Sequence, residues 1–307
     1  MRTTKPTIRP FDNPKRGSCV VNSDIPLAPE RLWRRLYVRT LDDDLENLRG
    51  FQPGGYHPIQ LHDELHDGQY RVIHKLGHGG SSTVWPCQEQ HVDTPSYVAI
   101  KILVASETER DCRELLMTSK LHLEGIDKSQ SPNGTYICLV SPVSGPVVRE
   151  AAKLTFVSSS EESDPGALHK DFSEPVAGAL AALHSRGICH GDFRPSNILL
   201  GLDSLEGLHE EQVLSRIGKP QTRDVHIRKD TRPTPEVPYA PKHLVYPLNI
   251  YEVDPSLLTL NVRAIDFGQS FDTTQRPLPV AFGILVNYAA PEVVLDSVGS
   301  RRLFDVF

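Results

Sequence analysis

Four short signals follow one another along this chain in a fixed order, each at the edge of an apolar run. They are Gly77-His-Gly79-Gly80-Ser-Ser-Thr-Val84, Val98-Ala99-Ile100-Lys101, His190-Gly-Asp192-Phe-Arg194-Pro-Ser-Asn197 and Ile265-Asp266-Phe267-Gly268. Polar groups this far apart in sequence share chemistry only where the elements carrying them converge on one cleft. The fold must therefore bring a hairpin, a second strand and two loops at strand ends to one place.

The segment from Tyr70 to Val104 supplies the first two signals. YRVIHKLGHGGSSTVWPCQEQ and SYVAIKILV carry apolar and β-branched residues in short runs around a glycine cluster, the pattern of a twisted antiparallel sheet. Glycines let backbone N–H groups approach a phosphate with no Cβ in the way, although an isolated cluster is more often a plain tight turn. Alternation along Val98-Ala99-Ile100-Lys101 turns Ala99 and Lys101 to one face, so a cation and a small residue share a cleft. A helix is expected over residues 107–123, carrying Leu115, Leu116, Leu121 and Leu123, and a strand over 135–142.

Apolar positions 172, 176, 177, 180, 181 and 183 recur at helical spacing, with Ser173 as N-cap and Gly187 as stop. His190 to Asn197 follows that helix and leads into a strand, Asn197 to Leu200; Asp266 follows another, Val262 to Ile265. An Asp and an Asn placed across a tight loop allow one to accept a hydroxyl proton and the other to hold a divalent cation, for which Asp266 adds a second hard oxygen. Residues 201–259, between those strands, are rich in proline and mixed charge. They are expected to loop out and to be partly disordered.

Residues 1–55 are basic at first, acidic around Asp42, Asp43 and Asp44, and read as an extension with one short helix within 29–48. Prolines 6, 10 and 14 argue against a presequence helix there, and no apolar run suits a secretory signal. The balance of 33 Lys and Arg against 39 Asp and Glu, net charge -6, removes any bulk-charge case for binding nucleic acid or an anionic membrane. Five scattered cysteines with no CxxC pair signal neither a disulfide framework nor a thiolate zinc site. A reducing compartment, cytoplasm or nucleus, is the expectation.

As they stand, GHGGSSTV, VAIK, HGDFRPSN, DFG and the later Ala290-Pro291-Glu292 resemble the eukaryotic protein kinase superfamily over roughly residues 56 to 307. Within it, PGGYHP (53–58), KLGHGGSSTVW (75–85), CLVSPVSGP (138–146) and the long insertion before DFG resemble the serine/arginine-rich protein kinases, particularly their divergent fungal relatives. The resemblance implies an α+β bilobal fold: an extension (1–55), an N-lobe (56–145) with a five-stranded antiparallel sheet, and a partial helical C-lobe (146–307). After Glu292 the chain continues VVLDSVGSRRLFDVF. The helical lobe is thus expected to be C-terminally truncated, leaving an apolar side of the 172–187 helix uncovered.

Carried over residue by residue, the resemblance implies that Leu76, Gly77, Gly79, Val84 and Ala99 cover ATP while Lys101 pairs with its α and β phosphates. Glu114, with Glu109 as the alternative, would be the ionic partner of Lys101. Ser141 lies behind the adenine, followed by hinge residues Pro142, Val143 and Ser144. Asp192 would be the catalytic base, and Asn197 and Asp266 the Mg2+ ligands. Arg194 stands where protein kinases usually carry a lysine that touches the transferred phosphate, a change of geometry at constant charge. Gly191 stands where many kinases carry an arginine that clamps a phosphorylated loop, so switching by that route is not expected. His190 is expected to pack and hydrogen-bond within its loop.

The implied function is an ATP-dependent serine/threonine protein kinase using Mg2+ and acting on a protein substrate of Arg/Ser-rich type. No nucleic-acid or membrane partner is implied, and no oligomeric state is read from the chain. Two other readings stand beside it. One is a truncated pseudokinase that binds nucleotide or protein. The other is a small-molecule phosphotransferase, because His-Gly-Asp before an Asn also resembles the aminoglycoside phosphotransferase loop; VAIK, the DFG glycine and APE fit that family less well.

Overall fold

The β-branched runs between residues 64 and 142 close into one antiparallel sheet of seven strands. The computed structural model describes residues 37–38, 42–108, 112–121, 125–151, 165–228, 239–275 and Tyr288. In chain order the strands are β1 (Glu64–Leu65), β2 (Tyr70–Val72), β3 (Gly77–His78), β4 (Ser82–Glu89), β5 (Tyr97–Leu103), β6 (Gly125–Ser131) and β7 (Gly134–Pro142). They lie in the order β1-β2-β4-β5-β7-β6, with β3 paired to β4. Five strands were expected from the resemblance. The two extra ones, β1 and β3, are two residues long, too short to carry a readable alternation.

The helix expected over 107–123 is two pieces, α1 (Ala105–Thr108) and α2 (Arg113–Lys120). Glu109 and Ala290-Pro291-Glu292 fall outside the described residues, as does most of the helix expected within 29–48. One face of the sheet buries Val72, Trp85, Cys87, Ile100, Ile102 and Tyr136 in a common core.

The second half of the chain holds α3 (Pro165–Ser185), β8 (Ile188–Cys189), β9 (Ile198–Leu202), α4 (Glu210–Ile217), β10 (Thr222–Asp224), β11 (His243–Val245), β12 (Leu258–Ala264) and β13 (Phe271–Asp272). Helix α3 starts well before Ser173, which is exposed within it; Gly187 ends it as expected, at φ +69°. Phe172, Leu180 and Leu183 turn inward, while Ala177, Ala181 and Ala182 are exposed. The uncovered apolar face among the described residues of α3 is therefore lined by methyl groups rather than by large side chains.

Within residues 201–259, the described residues, 201–228 and 239–259, carry secondary structure and a core of their own. Acidic residues open α4, Arg216 lies in its last turn and Gly218, at φ +95°, stops it. Val213 and Ile217, one turn apart, are buried with Leu205, Leu257 and Ile73 of the sheet lobe. Strands β10 and β11 pair, and Val245 is fully buried in the main sheet core. Backbone bonds stitch this segment to the sheet lobe: Gly207 N to Pro95 O at 2.8 Å and Leu248 N to Lys75 O at 2.9 Å. Its apolar residues are spaced out among prolines and charges, so the stretch reads as polar even though the side chains that build its core are present.

Candidate active site

Register alone places most of the nucleotide-lining candidates on one face of the sheet. Val84 pairs with both Gly77 and Lys101, and Ala99 pairs with Ser141. Cross-strand partners share a face and residues two apart on a strand share it too. Gly77, Val84, Ala99, Lys101 and Ser141 are thus brought together, on the side opposite Ile100 and Ile102. Leu76 N donates to Val84 O at 2.8 Å, and Gly79 N closes the hairpin tip on Ser82 O at 2.8 Å.

The chain after β7 is more committed than its sequence suggests. The carbonyl of Pro142 already accepts from Arg263 Nη1 at 3.0 Å, Ser144 is buried, and the Val143 side chain packs toward the spacer cluster of Ile73 and Leu205. Ser141, the residue before the hinge candidates, lies on the shared face, whereas Pro142 pairs with Val98 on the other.

Lys101 anchors the cluster. Its Nζ lies 2.5 Å from Glu114 Oε1 on α2 and 3.3 Å from Asp266 Oδ1. Burial opposes the Lys101 charge, but the two carboxylates together hold it above the ordinary lysine range. Burial pushes the Glu114 carboxyl up, against the pull of Lys101 and a hydrogen bond from the Phe267 amide. Phe267, packed with Met117 one turn along α2, seats the helix on the loop that carries Asp266. Asp266 itself is left-handed, φ 66° and ψ 63°, a conformation Asp tolerates better than most residues.

The antiparallel β9–β12 ladder pairs Ile198 with Ala264, so the residues on either side of it, Asn197 and Ile265-Asp266, meet at one end. Ile265 N donates to Asn197 O at 2.9 Å. Asn197 Nδ2 donates to Asp192 O at 2.9 Å and to Asp192 Oδ2 at 2.8 Å. Arg194 Nε lies 3.1 and 3.0 Å from the two Asp192 carboxylate oxygens, and its Nη1 donates to Ser196 Oγ at 3.0 Å. His190 is fully buried, with Nε2 3.0 Å from Ile265 O and Nδ1 accepting from Asp192 N at 3.3 Å, the structural place expected for it.

Gly191 is more than a missing arginine, because the fold requires a glycine there. Its φ is +76°, and a Cβ there would lie 2.4 Å from Gln269 O. The segment before β1 also plays a part that the sequence did not reveal. Tyr56 Oη donates to Gly79 O at 2.6 Å, His78 Nε2 lies 3.1 Å from Asp44 O, and Glu46 forms an ion pair with Lys75, whose side chain is 0% exposed. PGGYHP was visible as a motif, but nothing in its residue types says that it touches the glycine hairpin.

Residues 70–206 match the protein kinase domain family. Protein kinase dsk1 of Schizosaccharomyces pombe is 30% identical over 176 residues, 52% of this chain and 31% of that protein. SKY1 of Saccharomyces cerevisiae, a serine/threonine-protein kinase, is 29% identical over 184 residues, 53% of this chain and 24% of that protein. SRSF protein kinase 3 of Homo sapiens is 28% identical over 176 residues, 52% of this chain and 30% of that protein. The matches thus span about a third or less of these relatives' length. A crystal structure of a kinase domain overlays with a TM-score of 0.45 at 18% identity, over 78% of this chain and 61% of that one, and carries no weight beside the strand order.

The match over residues 70–206 makes the chain similar to the protein kinase superfamily. Within it, the chain is similar to the serine/arginine-rich protein kinases. That family uses ATP, typically with Mg2+. Among the described residues no helix is long and apolar enough to cross a membrane.

Proposed function

We propose that this chain carries the nucleotide site and catalytic loop of a serine/threonine protein kinase that transfers the ATP γ-phosphoryl group to a protein hydroxyl in Arg/Ser-rich substrates. The observation that carries this reading is the single polar cluster in which Lys101 touches both Glu114 and Asp266 while Asn197, next to Asp266 across the β9–β12 ladder, holds Asp192. Lys101, fixed by two carboxylates, is placed to meet phosphate oxygens. Asp192, oriented by Asn197 and Arg194, is placed to accept the proton of an incoming hydroxyl as the new O–P bond forms and the bond to ADP breaks.

The residues fit a divalent cation. Asn197 uses its amide hydrogens on Asp192, which leaves its carbonyl oxygen as the ligand atom, and the Asp266 side chain is 48% exposed beside it. Mg2+ held there would neutralise phosphate charge. The likeness to SKY1, a serine/threonine-protein kinase, and to SRSF protein kinase 3 supports a hydroxyl-bearing protein substrate, and the motif resemblance to the serine/arginine-rich protein kinases supports the Arg/Ser preference. Because Lys101, Asp192, Asn197 and Asp266 are all present, a catalytic role is favoured over a binding-only one.

Radiolabelled transfer from ATP to an Arg/Ser-repeat peptide, with Asp192→Asn as control, tests the proposal. Transfer that depends on Asp192, and is lost on a peptide with its serines changed to alanine, is the expected result. Transfer that persists in Asp192→Asn overturns the assignment.

A further inference from the structure

The motif Pro53-Gly-Gly-Tyr56-His-Pro58 has no part in the chemistry above, yet its tyrosine reaches the glycine-rich hairpin. Tyr56 is anchored before it gets there. Its backbone carbonyl accepts from Asn133 Nδ2 at 2.8 Å and from Tyr136 Oη at 3.2 Å. Its ring packs on Phe51 with centroids 5.5 Å apart and lies over Gly50, where a Cβ would come within 2.4 Å of the ring. Burial, more than the nearby Glu46 carboxylate, pushes the phenol above its ordinary range, so the hydroxyl stays a donor at neutral pH.

The side from which it donates matters. Tyr56 shares a cluster with Val104, and its carbonyl partner Tyr136 shares the core of Ile100 and Ile102. By strand alternation that face is opposite the one bearing Ala99 and Lys101. A trans peptide sets its C=O and N–H on opposite sides of the chain. With Gly79 O pinned toward Tyr56 at 2.6 Å, the Gly80 N–H turns toward the Lys101 face. The neighbouring groups are held as well: Gly79 N donates to Ser82 O and Val104 N to Ser81 O, each at 2.8 Å. The space around Gly79 and Gly80 is open, with nothing within 4 Å of a Cβ built at either.

We propose that Tyr56 is a positioning residue for the nucleotide phosphates: its hydroxyl fixes the Gly79-Gly80 peptide so that the Gly80 N–H is presented to the phosphate chain on the Lys101 side. The assignment rests on the kinase reading above. It predicts an effect confined to the polyphosphate, since the residues assigned above to the adenine, Ala99 and Ser141, make no contact with Tyr56 that its hydroxyl controls.

Titration calorimetry of the full chain and of Tyr56→Phe, with MgADP and separately with adenosine, tests it. Loss of one neutral hydrogen bond should weaken MgADP by about two- to tenfold. Adenosine affinity should stay the same, and in turnover KM for ATP should rise with kcat retained. Equal losses for both ligands, or no loss for MgADP, overturn the proposal. A second measurement does not depend on the variant folding. In the 15N-glycine-labelled wild type, MgADP should shift the Gly80 amide more than that of Gly207 in the spacer, and an unmoved Gly80 amide overturns the proposal. Failure of the wild type to bind MgADP would instead overturn the kinase reading itself.

Discussion

Arg194 Nε sits 3.1 and 3.0 Å from the two carboxylate oxygens of Asp192, so one planar donor orients the whole carboxylate of the candidate base. The same guanidinium reaches Ser196 Oγ at 3.0 Å. A lysine ammonium is a point charge and cannot hold both partners in one plane. Arg194→Lys is therefore expected to lower kcat by about tenfold, the scale of one charge-assisted hydrogen bond, with KM for ATP unchanged. Steady-state kinetics on an Arg/Ser peptide check this, and a variant as fast as wild type would show that the orientation is set elsewhere.

Lys101 joins Glu114 and Asp266, and removing it leaves two carboxylates facing the place where phosphates would lie. Lys101→Ala should lower magnesium-dependent nucleotide affinity by at least about tenfold in a calorimetric titration. Equal affinity in the two proteins would mean that the pair is structural only.

The spacer buries Leu205, Val213, Ile217, Leu244 and Val245. Each large aliphatic side chain stabilises by about 1.5–3 kcal/mol when buried, so the five together approach the whole stability of an ordinary domain. Replacing residues 205–255 by a short turn should abolish the cooperative thermal transition. Val213→Ala alone should cost about 1–3 kcal/mol in a urea melt. A deletion variant melting within a few degrees of wild type would place these residues outside the core.

His57 packs against Tyr136, ring centroids 4.6 Å apart, and burial holds its imidazole down to about 4, a backbone contact at Pro58 opposing. An unfolded chain takes up this proton near pH 6.5 and the folded one only near 4. Between those values the unfolded state binds more protons, so stability falls as the pH drops, by up to about 1.4 kcal/mol per unit. Below about pH 4 both states are charged and the loss levels off. Urea melts at pH 7 and pH 5 should show a smaller difference for His57→Phe than for wild type; the same difference in both would exclude His57 as the source.

What the sequence made legible is what depends on strand period and loop position. Lys101, Glu114, Asp192, Asn197 and Asp266 come together because VAIK alternates and because the last two flank strands that pair. What it hid depends on tertiary context. Ser173 looks like an N-cap but lies inside a helix that begins at Pro165. Helix α4 carries acidic residues at its start, Arg216 near its end and a stop at Gly218, all readable, yet the surrounding prolines drew the segment toward disorder. The fixed conformation of Gly191 could not be read at all, since its constraint is the Gln269 carbonyl, brought close only by folding.

The placement of Val245 in the sheet core has a consequence for how this polypeptide is made. Translation delivers β1 through β7 first, but Val245, a buried member of their core cluster, emerges only after the catalytic loop and most of the spacer. The nascent sheet must wait with that space open, and the late-arriving segment completes it by a contact of long sequence separation. The two halves of the chain thus mature together, and damage to the spacer is felt in a sheet synthesised a hundred residues earlier.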